Sequence, residues 1–143
     1  MRIRLIAAGT RLPSWIDEGC EDYARRFGRG LKFELVEVPL QRTAERMRAA
    51  LGARDYVVAL EVTGRALSTP ELAEWLAARM AGGRDLALLV GGPEGLDTSL
   101  SGAADFRWSL SPLTWPHGLV RILVAEQLYR AHSLLQGHPY HRG

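Results

Sequence analysis

The chain reads as one α/β domain, residues 1–143, with a mostly parallel sheet and helices on both faces. Three observations predict this. Strand-like and helix-like segments alternate from the first residues to the last, the pattern of a parallel sheet joined by crossover helices. The run Leu86-Ala87-Leu88-Leu89-Val90 is apolar without alternation, which suits a strand covered on both faces. A glycine-rich loop follows that run directly, and ligands in such sheets bind beyond the carboxyl ends of the strands.

The segments follow in order. Ile3–Ala8 is a short apolar run and a first strand. Ser14 and Asp17 then have N-cap and N3 spacing, a variant of the capping box. Ile16, Cys20, Tyr23 and Phe27 fall on one face of that helix, which Gly28 and Gly30 should end. Phe33–Val38 is rich in β-formers and stops at Pro39. Thr43–Leu51 predicts a short, arginine-rich helix with Ala44, Met47 and Leu51 on one side. Tyr56–Val62 reads as a buried strand and Thr63-Gly64-Arg65 as the turn after it.

Ser68-Thr69-Pro70-Glu71 starts the next helix with a hydroxyl cap and a proline in the first turn. That helix runs to about Met80 and stops at Gly82-Gly83. The strand Asp85–Val90 leads into the glycine-rich loop. A short helix near Asp97–Ala104 and a short strand near Phe106–Leu110 come next. Ser111–Gly118 is irregular, with Pro112 and Pro116. Leu119–Gln136 is the longest helix, with Val120, Leu123, Val124, Leu128, Ala131 and Leu135 as its apolar stripe.

The composition, 47% hydrophobic and 24% charged, is that of a globular domain. The lone cysteine, Cys20, excludes an intrachain disulfide framework and a cysteine-rich metal site; it reads as a buried structural thiol. No apolar run approaches the roughly 18 residues of a membrane span, and no secretory signal opens the chain, so a cytoplasmic location is expected. A net charge of +2 does not by itself indicate a nucleic-acid partner. Seventeen of the 18 basic residues are arginine, a ratio that GC-rich coding also produces.

Gly91-Gly92-Pro93-Glu94-Gly95 permits positive φ and close approach of backbone to a ligand, and Pro93 stiffens it. It has no phosphate-loop Gly-Lys-Ser/Thr and is not the Gly-x-Gly-x-x-Gly fingerprint. Alone it fits a bare tight turn as well as a ligand loop. Leu110–His117 likewise connects a strand to a long helix, and the two loops together suit a flat, apolar-faced ring such as adenine. All four histidines lie between His117 and His141, without the spacing of a helical metal pair, so no metal is expected. His132 reads as structural or surface, and Glu126 with Arg130 as an intrahelical ion pair. Trp15 and Trp75 read as packing residues, whereas Trp115 falls near the candidate ligand. The ending His138-Pro139-Tyr140-His141-Arg142 offers stacking, proton transfer and a phosphate clamp, or is a frayed polar terminus.

Several motifs together resemble the ribosomal large subunit methyltransferase H family, small members of the SPOUT methyltransferases. They are Val-Gly-Gly-Pro-Glu-Gly at Val90–Gly95, Trp-Ser-Leu-Ser-Pro-Leu-Thr at Trp108–Thr114 and Pro-His at Pro116–His117. Leu-Val-Arg-x-Leu-x-Ala-Glu-x-Leu-Tyr-Arg-Ala at Leu119–Ala131 and His-Pro-Tyr-His-Arg at His138–Arg142 join them. Leu5–Thr10, Pro13–Trp15 and Tyr23–Phe27 also fit, so the likeness covers the whole chain. It implies S-adenosylmethionine as methyl donor and N3 of a pseudouridine in bacterial 23S ribosomal RNA as target. It further implies the assembled 70S ribosome as substrate, a homodimer and a C-terminal trefoil knot. By resemblance, cofactor contacts fall on Leu60, Gly91, Leu110, Ser111, Pro112, Leu113, Thr114 and Trp115, and catalytic or tail roles on His117, Tyr140, His141 and Arg142. The Thr43–Leu51 region is shorter than in the family, and Trp115 stands where other members carry a smaller apolar residue. The competing reading is a cofactor- or RNA-binding ribosome module without catalysis.

Overall fold

The computed structural model describes residues 1–28 and 30–142, and for His141 and Arg142 the backbone alone. Five strands form one sheet: β1 (Arg2–Ala8), β2 (Lys32–Val38), β3 (Tyr56–Ala66), β4 (Leu86–Val90) and β5 (Phe106–Ser109), in the order β2-β1-β4-β3-β5. Every strand pairing in the sheet is parallel. The helices are α1 (Ser14–Ala24), α2 (Thr43–Ala50), α3 (Thr69–Gly82), α4 (Thr98–Ala103) and α5 (His117–Leu135), and Pro139–Arg142 closes the chain with a 3-10 turn.

Alternation along the strands divides the core between two faces. Ile3, Leu5 and Ala7 of β1, with Leu86, Leu88 and Val90 of β4, face α3 and α5, whose Leu72, Leu76, Val124 and Leu128 complete the larger cluster. Ile6 and Ala8, with Ala87 and Leu89, face α2 and α4 through Met47 and Leu100. All five residues of β4 are buried, which explains why that strand shows no polar positions. The chain leaves β1 for α1 and leaves β4 for α4, on opposite faces. The carboxyl ends of these two adjacent strands therefore form the switch-point crevice where ligands bind in open α/β sheets.

Several boundaries differ from expectation. α1 is capped from Pro13, and Ser14 lies inside the helix with no side-chain cap bond. The helix ends at Ala24, so Phe27 packs from the following loop, stacked 5.4 Å from Phe33. α3 carries the full capping box: Ser68 Oγ accepts from the Glu71 amide, and the Glu71 carboxylate accepts from the Ser68 amide. Gly83 ends it in the left-handed region at φ +72°.

Thr63-Gly64-Arg65 does not turn the chain out of the sheet. β3 continues to Ala66, with Leu60 and Arg65 both registered on Trp108 so that the residues between them form an outsized bulge. A Cβ on Gly64 would lie 2.8 Å from the Arg107 carbonyl group, so this glycine serves close strand approach. α5 begins at His117, two residues earlier than its apolar pattern indicates. Its buried side includes Arg121 and His132, whereas Leu135 at its end is exposed.

Candidate functional site

β4 ends in a turn that closes on itself. The Gly95 amide donates to the Gly92 carbonyl at 2.9 Å, with Pro93 and Glu94 exposed at the tip. Gly91 lies beneath it. A Cβ there would sit 2.4 Å from the Gly95 carbonyl carbon and 2.5 Å from the Leu96 nitrogen, so no other residue fits without opening the turn. Gly95 supplies a left-handed φ of +84°.

The β5–α5 connection is shaped by two hydroxyls. Ser109 Oγ donates to the Ser111 carbonyl at 3.1 Å, and Ser111 Oγ accepts from the Leu113 amide at 3.0 Å. This second bond is a serine turn that starts the loop without regular structure. Between the two loops and the bulge of β3 lies a cavity of about 180 Å³. It gathers Leu60, Gly91, Leu110, Ser111, Leu113, Thr114, Trp115 and His117. Pro112 is in the same loop but does not line the cavity. The sequence reading missed Glu61 and Val62 of the bulge, Val90, Leu96, Trp108 and Val120, which also line it. They come from the β3 bulge, β4, β5, a loop and α5, and no sequence period links them.

The Trp115 indole N–H is buried with no hydrogen-bond acceptor among the described residues.

Beneath the carboxyl edge lies Arg121, fully buried in α5. Its Nη1 donates to Glu37 Oε2 at 2.5 Å, and its Nη2 donates to the carbonyls of Ala8 (3.1 Å) and Gly9 (2.8 Å). One guanidinium thus ties the ends of β1 and β2 to the start of α5. Gly9 has φ +114°, and a Cβ on it would meet Arg121 Nη2 at 3.4 Å and His117 Nε2 at 3.7 Å. His117, one turn before Arg121, therefore lies against bare backbone on one side and the cavity on the other. Sequence reading placed no role on Arg121. Its one signal was a charge in register with Val124 and Leu128 on the apolar stripe.

Tyr140 lies elsewhere. Its hydroxyl donates to Glu126 Oε1 at 3.2 Å and lies in hydrogen-bond contact with Tyr23 Oη at 3.1 Å, and its ring packs 4.8 Å from Tyr129. Burial and the Tyr23 hydrogen bond push its phenol well above the usual tyrosine range. Glu126 also binds Arg130 at 2.6 Å, the expected ion pair, and that bond raises the Arg130 guanidinium further. His132 is structural: it is buried, stacked on Phe27, with Nε2 3.2 Å from the Gly28 carbonyl. Glu126 is nine residues after His117, so Tyr140 sits about 14 Å along α5 from the cavity at 1.5 Å per residue. The side chains of His141 and Arg142, the remaining tail candidates, lie outside the described residues. No cluster of His, Cys, Asp or Glu suited to a metal occurs among the described residues, and no helix among them is long and apolar enough to cross a membrane.

A family model described as a predicted SPOUT methyltransferase matches residues 1–141. The chain is 56% identical over 155 aligned positions to Ribosomal RNA large subunit methyltransferase H of Alkalilimnicola ehrlichii, covering 99% of each chain. It is 46% identical to the protein of that name from Hahella chejuensis, again over 99% of each. Among solved structures, the SpoU methyltransferase AviRb from Streptomyces viridochromogenes, in complex with AdoMet, superposes with a TM-score of 0.52 at 13% identity. That match covers 90% of this chain and 57% of the other, and it is a likeness of fold.

Proposed function

The chain belongs to the SPOUT methyltransferase family, and from this premise we propose that it methylates large-subunit ribosomal RNA with S-adenosylmethionine, at N3 of a pseudouridine in 23S rRNA on the assembled 70S ribosome. The observation that carries the reading is the meeting of Leu60, Gly91 and the Leu110–Trp115 loop around one cavity at the carboxyl edge of a parallel sheet.

At about 180 Å³ the cavity is below the usual small-molecule range of roughly 300–1,000 Å³, so it takes part of the cofactor, and its lining suits that part. Gly91 leaves backbone where a Cβ would collide. Leu60, Leu110 and Leu113 provide apolar wall for a flat ring. S-adenosylmethionine, when bound, supplies a methyl group that is already electrophilic. What remains for the chain is to align, to exclude water and to move one proton. Leu60, Gly91, Leu110, Ser111, Leu113, Thr114 and Trp115 are assigned to holding the cofactor, with Pro112 stiffening the loop. Pseudouridine N3 carries a proton that must leave as the N–C bond forms. His117 is assigned as the acceptor, since its ring borders the cavity and a histidine is suited to that task near neutral pH.

Tyr140, His141 and Arg142 are assigned to substrate binding. Because Tyr140 stands a helix segment away from its own cavity, the tail is proposed to serve the cavity of a second copy in a homodimer. Threading of the C-terminal segment as a trefoil knot is part of the same proposal, supported by family membership. The reaction is tested by mapping methylation of 23S rRNA by mass spectrometry in a strain lacking the protein. One methyl should vanish from a pseudouridine and return when this chain is supplied; an unchanged map refutes the assignment. His117→Ala should slow single-turnover methylation while cofactor binding persists, and an unchanged rate removes His117 as the proton acceptor. Sedimentation as monomer alone at micromolar concentration refutes the dimer.

A further inference from the structure

On the far side of the Gly91–Leu96 loop lies a second and larger space, about 570 Å³, which the cofactor reading leaves unused. We propose that this cleft, between α2 and the loop, receives one unstacked nucleotide of the RNA strand being methylated; the inference rests on the proposed reaction and supplies a substrate pocket for it.

The size lies within the range of small-molecule sites, roughly 300–1,000 Å³. The walls suit a base. Leu40, Ala44 and Met47 of the α2 region and Leu96 and Leu100 after the turn all line it, so the space is walled largely by aliphatic side chains. Thr43, Thr98 and the backbone of the Gly91–Gly95 turn line the same space and can meet the polar edges of a base. Sequence-specific RNA recognition works on splayed bases through contact with their faces and hydrogen bonds to their edges; here the face contacts are aliphatic.

Position points the same way. Gly91, Gly92, Gly95 and Leu96 line both cavities, so an occupant of the cleft is separated from the cofactor cavity by the thickness of one turn. A Cβ on Gly92 would lie 2.8 Å from Leu40 Cδ2, so that glycine keeps the contact between turn and α2 entry close. Arg48 spans from α2 to α4, reaching Asp97 Oδ1 at 3.4 Å and bonding Ser99. This clasp holds the two sides together at one end. At the mouth, Leu40 is 57% exposed, a large apolar side chain standing in water. Beside it Arg42 holds a left-handed φ of +52° without being glycine. The Arg42 guanidinium is mostly exposed, with Glu45 as a loose neighbour at 3.9 Å, and is therefore available to a phosphate. Asp97, the other acidic group on that rim with Glu94, is already committed to capping α4 and to Arg48.

The test uses the full chain and a uridine-rich single-stranded oligoribonucleotide carrying 4-thiouridine. Binding is measured for the wild type, for Ala44→Trp, which fills the cleft, and for Leu40→Ser, whose exposed position leaves folding untouched. S-adenosylmethionine affinity is measured on each by calorimetry. The expected result is photocrosslinks within residues 40–47 or 91–100 and RNA affinity reduced roughly tenfold in both variants, with cofactor affinity unchanged. Crosslinks elsewhere, no saturable RNA binding, or both variants binding as tightly as the wild type overturn the pocket. If RNA binds here as expected but no methyl is transferred to ribosomal RNA, the proposed reaction fails and the pocket stands.

Discussion

Replacing Arg121 with methionine isolates what one buried guanidinium does. The side chain is fully buried, and its removal leaves Glu37 Oε2 and the carbonyls of Ala8 and Gly9 without their donor. Methionine preserves most of the apolar volume, so a cavity contributes little. Breaking one side of a buried ion pair costs about 3–5 kcal/mol. Glu37 keeps 32% exposure, so water recovers part of that loss and the lower end, about 3 kcal/mol, is expected. Glu37→Gln keeps an acceptor for Nη1 and removes only the charge, which should cost about 1–2 kcal/mol. The double variant should lose about 1 kcal/mol less than the two singles added, because both act on one contact. The assay is equilibrium urea unfolding of all four proteins at one fixed concentration, since any association would add to apparent stability. A loss below about 1 kcal/mol for Arg121→Met, or strict additivity in the cycle, refutes the claim that this network ties α5 to the strand ends.

Gly91→Ala places a methyl 2.4 Å from backbone carbon, so the turn must open; a loss of about 1–3 kcal/mol in stability with weakened S-adenosylmethionine binding is expected, and unchanged calorimetric affinity refutes it. Cys20 is 3% exposed, and burial, outweighing the favourable pull of Arg121, pushes its thiol up to about 11. Alkylation at pH 8 should be roughly a hundredfold slower in the native protein than in urea, following the thiolate fraction. The stability tied to that thiol is complete below its ordinary value near 9 and fades as pH rises toward about 11; equal alkylation rates in the two states refute the argument. Tyr140→Phe removes the hydroxyl shared by Tyr23 and Glu126 and should cost about 1 kcal/mol. Because the folded state holds that phenol protonated, wild-type stability should fall as pH climbs past the usual tyrosine range and the gap between the two proteins should close. Phenolate absorbance followed alongside unfolding checks this, and a gap independent of pH counts against the contact.

Features governed by local chemistry were legible in the residues. The unbroken apolar run of β4 announced a strand buried on both sides, and Ser68-Thr69-Pro70-Glu71 marked a helix start to the residue. The cavity lining was legible only through whole-chain resemblance, because Leu60 at the β3 bulge, Gly91 after β4 and Leu110 after β5 are linked by no sequence period. Gly64 was misread because a glycine needed for close approach and one needed for a turn look alike until the partner strand is known. Ser14 had the right residue type for a cap, but the chain enters the helix at Pro13. Arg121 escaped notice because burial of an arginine depends on acceptors 84 to 113 residues away.

That separation also sets when the protein can finish folding as it is made. The carbonyls of Ala8 and Gly9 are synthesised well before the guanidinium that binds them, which follows more than 110 residues later. The central strand β4, which pairs with β1, likewise emerges late. β2 follows β1 closely in sequence, but the other edge of β1 and the apolar face covered by α5 stay open until most of the chain has been synthesised. Distant pairings of this kind make folding slow and leave intermediates prone to association. Truncation before α5 should accordingly yield aggregation and not a smaller folded domain.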